Sequence, residues 1–380
     1  MNNRFTSLLR KELLDAVRDK RSVMAGLYYA FFTPVLLAVV LTAVINKATN
    51  PEDIEITITN GIEASNLVNY LSDRGISQGD DPDKLKNIEL VISTDFSKQL
   101  NRAEPAEVTL IADQSEDSLR TAIARIKRAL GSYSSEIVSL RLISRGINPN
   151  IINPVKVHIQ DQATAVSKGG QIMGVMTMLM ILSVFVAGMN LAIDTSAGER
   201  ERNSLALLLS HPVSVLQLVM SKTVAVSIFG MLGLILTIIV SKFVYPFVPW
   251  QELGFSVDIS GSFVLGALLA GFSVAIFAAS MQLFVSFMAK SFKEAQTYIS
   301  FVMFVPIAMS YAATLDFAVE ELRWAPVSGQ LQALIDLAKG KEIPLLQLTV
   351  SCLSTLIISL ALIFGMERLL KVRRLFLACE

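Results

Sequence analysis

The sequence predicts an α-helical polytopic membrane protein of six transmembrane helices, with a mixed α/β extracytoplasmic domain inserted after the first span. Three observations lead there. Of 380 residues, 52% are hydrophobic and 17% charged, with a mean hydropathy of +0.53, whereas soluble chains average about 25% charged residues. The apolar residues gather into runs of roughly 20 or more, the length that crosses about 30 Å of hydrocarbon. Residues 47–168, by contrast, have the composition of an ordinary soluble domain.

Residues 1–21 are not expected to be a cleaved signal. Arg4, Arg10, Lys11, Arg18, Lys20 and Arg21 mix with Glu12, Asp15 and Asp19, instead of forming a short basic region before an apolar core. Phe5, Leu8, Leu9, Leu13, Ala16 and Val17 recur at helical spacing, which suits a cytoplasmic amphipathic helix in the membrane interface. An ordinary juxtamembrane segment fits the same pattern.

The first span is 22–46, and five more follow within 169–366, at 170–193, 221–245, 261–289, 295–317 and 345–366. Pro34 and Pro306 fall inside spans, which membrane helices tolerate. Orientation follows the basic residues of the short connections. The N-terminal tail, the 194–220 loop with Arg200 and Arg202, the turn with Lys290 and Lys293, and the basic tail 367–380 are positive. The 246–260 loop has no basic residue, and the 316–344 loop has three against five acidic ones. Both termini and the 194–220 loop are therefore expected in the cytoplasm, and 47–168 outside.

The outer domain reads as strands in IEITITNG (54–61), ELVIST (89–94), EVTLIAD (107–113) and VKVHI (155–159), with a long helix after Ser115. GDDPDK (79–84) lacks the spacing of a calcium loop and reads as a solvated turn. Neither Cys352 nor Cys379 lies in this region, so no disulfide framework is expected there.

Much chemistry is missing. No phosphate-binding loop of the Gly-x4-Gly-Lys-Ser/Thr type occurs. His158 and His211 are far apart, which leaves no zinc cluster. No metal site, cofactor or enzymatic activity is expected of the chain itself. Its net charge of zero says nothing about partners, and no nucleic-acid partner is expected.

The spans lack Asp, Glu, Arg and His in their middles, where coupled carriers place ionisable groups. Neutral Asn190 and Gln282 are the transport-path candidates. The five methionines between Met173 and Met189 read as packing rather than metal traffic. Gly266, Ala270, Gly271, Ala275 and Ala279 allow close helix approach.

The densest charge run is GERERNSLALLLSHPVS, from Gly198 to Ser214. Leu205, Leu208 and Leu209, broadened by Ala206 and Leu207, give a short helix an apolar face, and Pro212 stops it. Such a helix suits a partner's groove, or merely links two spans along the interface.

This run resembles the cytoplasmic coupling segment of type-2 ABC exporter permeases. The resemblance rests on Gly198, Glu199, Arg200, Glu201, Arg202, Ser204, Leu205, Leu208, Leu209, Pro212, Val213, Ser214 and Lys222. It departs at Asn203, where the family has glycine; asparagine also tolerates left-handed geometry. RKELLDAVRDKRS (10–22) is similar to the family's N-terminal helix, so the resemblance runs the length of the chain. Its large outer domain looks most like that of a sodium-export permease.

The resemblance implies a permease subunit of an ABC exporter, in a bacterial plasma (inner) membrane. A separate cytosolic ATPase, in two copies, would use the ATP. The permease would pair with a second copy, surrounded by membrane lipid. Sodium ions are one implied cargo; a lipid, polysaccharide or drug-like substrate is the alternative. ATPase coupling would fall to Glu199, Arg200, Glu201, Arg202, Leu205, Leu208, Leu209, His211 and Pro212. A membrane-anchored sensor or scaffold with a ligand-binding outer domain is the reading of another class.

Overall fold

The computed structural model describes residues 2–49, 53–79, 86–113, 115–152, 169–254, 257–315, 320–342 and 344–377. The expected strand at 155–159, with His158, most of the 79–84 turn and Cys379 lie outside them. The chain divides into two compact units, Asn46–Asp161 and Met1–Ile45 with Gln162–Glu380.

Helix α1 (Asn2–Arg18) precedes α2 (Lys20–Thr49), the first of six helices among the described residues that are long and apolar enough to span a membrane. The stripe on α1 is divided. Leu8, Leu13 and Ala16 pack on the protein, while Val17 is exposed.

The smaller unit holds β1 (Ile54–Thr59), α3 (Ser65–Ser72), β2 (Ile76–Gln78), β3 (Ile88–Ile92), α4 (Phe96–Asn101), β4 (Val108–Ala112) and α5 (Asp117–Ser144). The sheet order is β2-β1-β3-β4, with β1 parallel to β2 and β3, and β4 antiparallel to β3. Alternation sends Ile54, Ile56, Ile58, Ile88, Leu90 and Ile92 to one buried face, where Leu67, Leu71, Ile123 and Ile126 cover them. Asn60 takes the left-handed conformation (φ 61°) and starts a helical turn that feeds α3. The Asn-Gly signal thus marks a β-to-α connection. Strand β2, three residues long, carried no periodicity to find.

The larger unit continues with α6 (Gly170–Ile193), α7 (Ser204–Ser210), α8 (Val215–Val244), α9 (Gly261–Met288), α10 (Phe292–Val302), α11 (Phe304–Thr314), α12 (Ser328–Ala338) and α13 (Leu345–Leu377). Helices α6, α8 and α9 pack closely on one another, and α13 packs on α8 and α9. The methionines fill that core: Met173, Met176, Met178 and Met180 are all buried. The fifth span is two helices, because Pro306 has no N–H for the carbonyl of Val302 and the chain breaks at Met303.

The expected 316–344 loop contains α12, most of whose residues are buried. Gln330 meets Ser273 near the middle of α9, and Lys339 lies against Gly170 at the start of α6. The helix therefore climbs from inside the bundle toward its edge. Eleven residues cannot span a bilayer, so length alone hid it.

Small residues set the helix spacing. A Cβ at Gly26 would stand 2.6 Å from the backbone oxygen of Ala187, so α2 and α6 touch there through their main chains. Gly271 lies against Leu234, with Ala270 and Ala275 buried beside it. Gly26→Val is expected to cost about 1–3 kcal/mol by overpacking, seen as a lower thermal midpoint in detergent. Gly261→Ala, which meets nothing within 4 Å, serves as the silent control.

Candidate coupling site

The second span does not stop at Ile193. A π-helical turn, Asp194–Gly198, and a helical turn, Glu199–Glu201, carry it onward. Such wide turns in an α-helix are frequently found at functional sites. Ser196 Oγ lies 2.5 Å from both Ala192 O and Ser286 Oγ; it donates its one hydrogen to one of them, and the two hydroxyls are bonded through that hydrogen or the one on Ser286, which fixes this turn against α9.

Each of the four consecutive charges then finds a partner within the chain. Glu199 is buried and accepts from Lys222 Nζ at 2.7 Å and from Lys11 Nζ at 2.7 Å. Arg200 Nη1 donates to Ala289 O at 2.6 Å, a cation at the C-terminal end of α9. Glu201 Oε2 accepts from Phe292 N at 2.8 Å, an anion at the N-terminal end of α10. Arg202 pairs with Asp194 at 2.6 Å. The run binds neighbouring helix ends into one body.

The centre of this body was not legible as a site. Lys222 and Glu12 are both fully buried, 2.9 Å apart, and Lys11 Nζ also reaches Glu12 at 3.1 Å. Two ammoniums and two carboxylates thus join α1, the end of the second span and the start of α8. Partial burial works to lower the affinity of Lys11 for its proton. The charges of Glu199 and Glu12 and their hydrogen bonds outweigh it, and the pKa is raised. Arg4 Nη1 adds a bond to Pro212 O at 2.8 Å, so α1 holds the segment at both ends.

Between those ends, Asn203 adopts φ 60° and ψ 7°, the left-handed region. The bend it makes turns the chain into α7. Leu205 and Leu209 are buried against Ala16, Val215 and Leu218, and Leu208 is half-buried in the same cluster. Leu207 is 65% exposed. His211 Nδ1 lies 2.8 Å from Leu207 O, a carbonyl at the helix end that also accepts from Ser210 Oγ at 2.7 Å. His211 and Pro212 are exposed. Asn203→Gly is expected to leave the thermal midpoint nearly unchanged. Asn203→Val forces a branched side chain into that region at about 1–2 kcal/mol and lowers it.

Of the transport-path candidates, Gln282 is buried; its Nε2 donates to Phe185 O at 2.8 Å, and its Oε1 has no hydrogen-bond partner among the described residues. Asn190 is half-buried. No group of His, Cys, Asp and Glu among the described residues could hold a metal.

A sequence model described as ABC-2 family transporter protein matches residues 25–366. The chain belongs to the ABC-2 transporter family. Its place is that of a permease subunit, a multi-pass membrane protein. The ABC transporter permease protein NatB of Bacillus subtilis (strain 168) is 26% identical over 321 residues, spanning 79% of this chain and 80% of that protein. No solved structure matches the chain. In this ABC-2 permease the residues that carried the resemblance, Glu12, Glu199 and Lys222, converge in one ion cluster. Residues so far apart in sequence gave no sign of contact. The hint available was a lysine at the head of an otherwise apolar span, facing no water.

Proposed function

We propose that this chain is the transmembrane permease of an ABC exporter, powered by a separate cytosolic ATPase that docks on the segment Glu199–Pro212. One observation carries the reading. Helix α7 presents Leu207 outward while its opposite side and both its ends are fixed to several helix ends. A push on α7 therefore has nowhere to dissipate but into the spans. Two ATPase copies would serve two permease copies, with both termini cytoplasmic, the α/β unit outside, and the plasma membrane of a bacterium as the location. The chain itself binds no cofactor in this reading.

Sodium is the proposed cargo, supported by the neutral polar groups buried in the bundle. An acyl-bearing lipid is the second reading. It is favoured by an apolar groove on α8, α9 and α13, lined by Met220, Ile228, Met231, Ile235, Phe272 and Ile363.

The test is purification of the chain from native membranes in mild detergent, followed by reconstitution in sealed vesicles. A co-purifying ATPase and ATP-dependent sodium movement are expected. An ATPase without sodium movement transfers the cargo to lipid; the absence of an ATPase removes the exporter reading.

A further inference from the structure

The α/β unit buries most of its isoleucines in one core but leaves others out together, at one end of α5. Among its described residues, six of the eight exposed large apolar side chains lie between Val138 and Ile152. They are Val138, Leu140, Ile143, Ile147, Ile151 and Ile152; Ile62 and Ile111 stand apart. Single exposed apolar residues need no explanation, whereas a gathered patch does.

The patch is also ordered. Helix α5 stops before Gly146, whose φ of 72° is left-handed. Gly146 N bonds to Ile143 O and Ile147 N to Leu142 O, both at 2.9 Å, the paired bonds of a glycine helix stop. Asn148 Oδ1 then accepts from Asn150 N at 3.0 Å and opens a short 3-10 helical turn, Pro149–Ile151, that packs on α5. These bonds hold Ile143 at 60% and Ile151 at 70% exposure. Fixing isoleucines in water gains nothing unless another apolar surface covers them.

We propose that residues 138–152 dock the α/β unit onto the surface of the phospholipid bilayer that the chain spans, with the isoleucines among the upper acyl chains and Arg145 at the phosphates. Three features choose lipid over a protein partner. From Ile137 to Ile152 there is no acidic residue, and Arg145 at the helix end is exposed. A guanidinium beside aliphatic groups matches a phosphate layer over acyl chains. Glu136, one turn before Leu140, closes the patch. The exposed side chains are all aliphatic, without the Trp, Tyr, Phe or Met that are enriched in protein interfaces. Finally, the first span ends at Lys47, shortly before β1, and the second begins at Ile172. A unit tethered on both sides meets the bilayer at high effective concentration, so weak docking suffices.

The inference needs neither the cargo nor the ATPase of the proposed function. Its test uses the full chain, with Cys352→Ser and Cys379→Ser, in nanodiscs of phosphatidylcholine and phosphatidylglycerol. An environment-sensitive fluorophore is placed at Ile143→Cys, Ile151→Cys or, as the control, Lys127→Cys, about 24 Å back along α5 from Ile143. Part of the lipid carries a nitroxide near the top of its acyl chains. Labels at 143 and 151 should lose most of their emission, and the label at 127 none. Adding Ile151→Asp and Ile152→Asp to the Ile143→Cys chain should restore the emission at an unchanged thermal midpoint, since both side chains are exposed. Emission unquenched at 143 and 151, quenched equally at 127, or still quenched in the aspartate variant overturns the docking. A blue-shifted but unquenched label would place protein on the patch, a second copy or another segment of this chain, and overturns it as well.

Discussion

Lys222→Ala is expected to destabilise the membrane unit by about 3–5 kcal/mol, the cost of leaving a buried carboxylate uncompensated. The residue is fully buried, as is Glu12, and it is the bridge between Glu12 and Glu199. Lys11 cannot replace it. Its ammonium already sits on both carboxylates, and its side chain is 37% exposed, where water weakens the attraction. In detergent this corresponds to a fall of roughly 10 °C in the thermal midpoint, and α1 should become open to proteolysis near Arg10. The triple variant Lys222→Met, Glu12→Gln, Glu199→Gln should recover most of the loss, because no charge is then left buried alone. A midpoint equal to wild type for Lys222→Ala would show that the cluster contributes nothing to holding α1.

The same cluster shows what a sequence can and cannot disclose. Six spans were legible because crossing hydrocarbon imposes a length, and length is written locally. The short helix with Leu205 and Leu209, its charged entrance and its stop at Pro212 were legible for the same reason. Asn203 in place of glycine was legible as a tolerated bend, and it does bend.

What failed was everything that depended on a second element. Glu199 read as one of four adjacent coupling charges, and nothing set it apart until Lys222 and Glu12 were brought to it. Helix α12 is too short to register as a span, so its residues read as part of the 316–344 loop. Leu207 and Leu208 are neighbours of equal hydrophobicity. Only the packing of α7 on Ala16 and Val215 decides which one faces out.

That choice governs the most consequential functional variant. Leu207→Asp is expected to abolish stable association with the ATPase, by about thirtyfold or more if Leu207 is an anchor worth at least 2 kcal/mol. ATP-driven transport should go with it. The fold should be untouched, because Leu207 is 65% exposed and exposed substitutions usually stay within about 0.5 kcal/mol. Leu209→Asp supplies the contrast: it buries a carboxylate in the cluster with Leu218 and Phe229. Both association and thermal midpoint should fall together there. Leu208→Asp, half-buried, mixes the two effects and is the poorer probe. Affinity is measured by titrating the purified ATPase onto the permease in lipid nanodiscs, with the midpoint of each variant recorded beside it. Loss of binding at an unchanged midpoint places the contact on Leu207 itself. Full binding by Leu207→Asp would remove α7 as the docking helix. The exposed edge at His211 and Pro212, which Arg4 holds in place, would then be the next surface to alter.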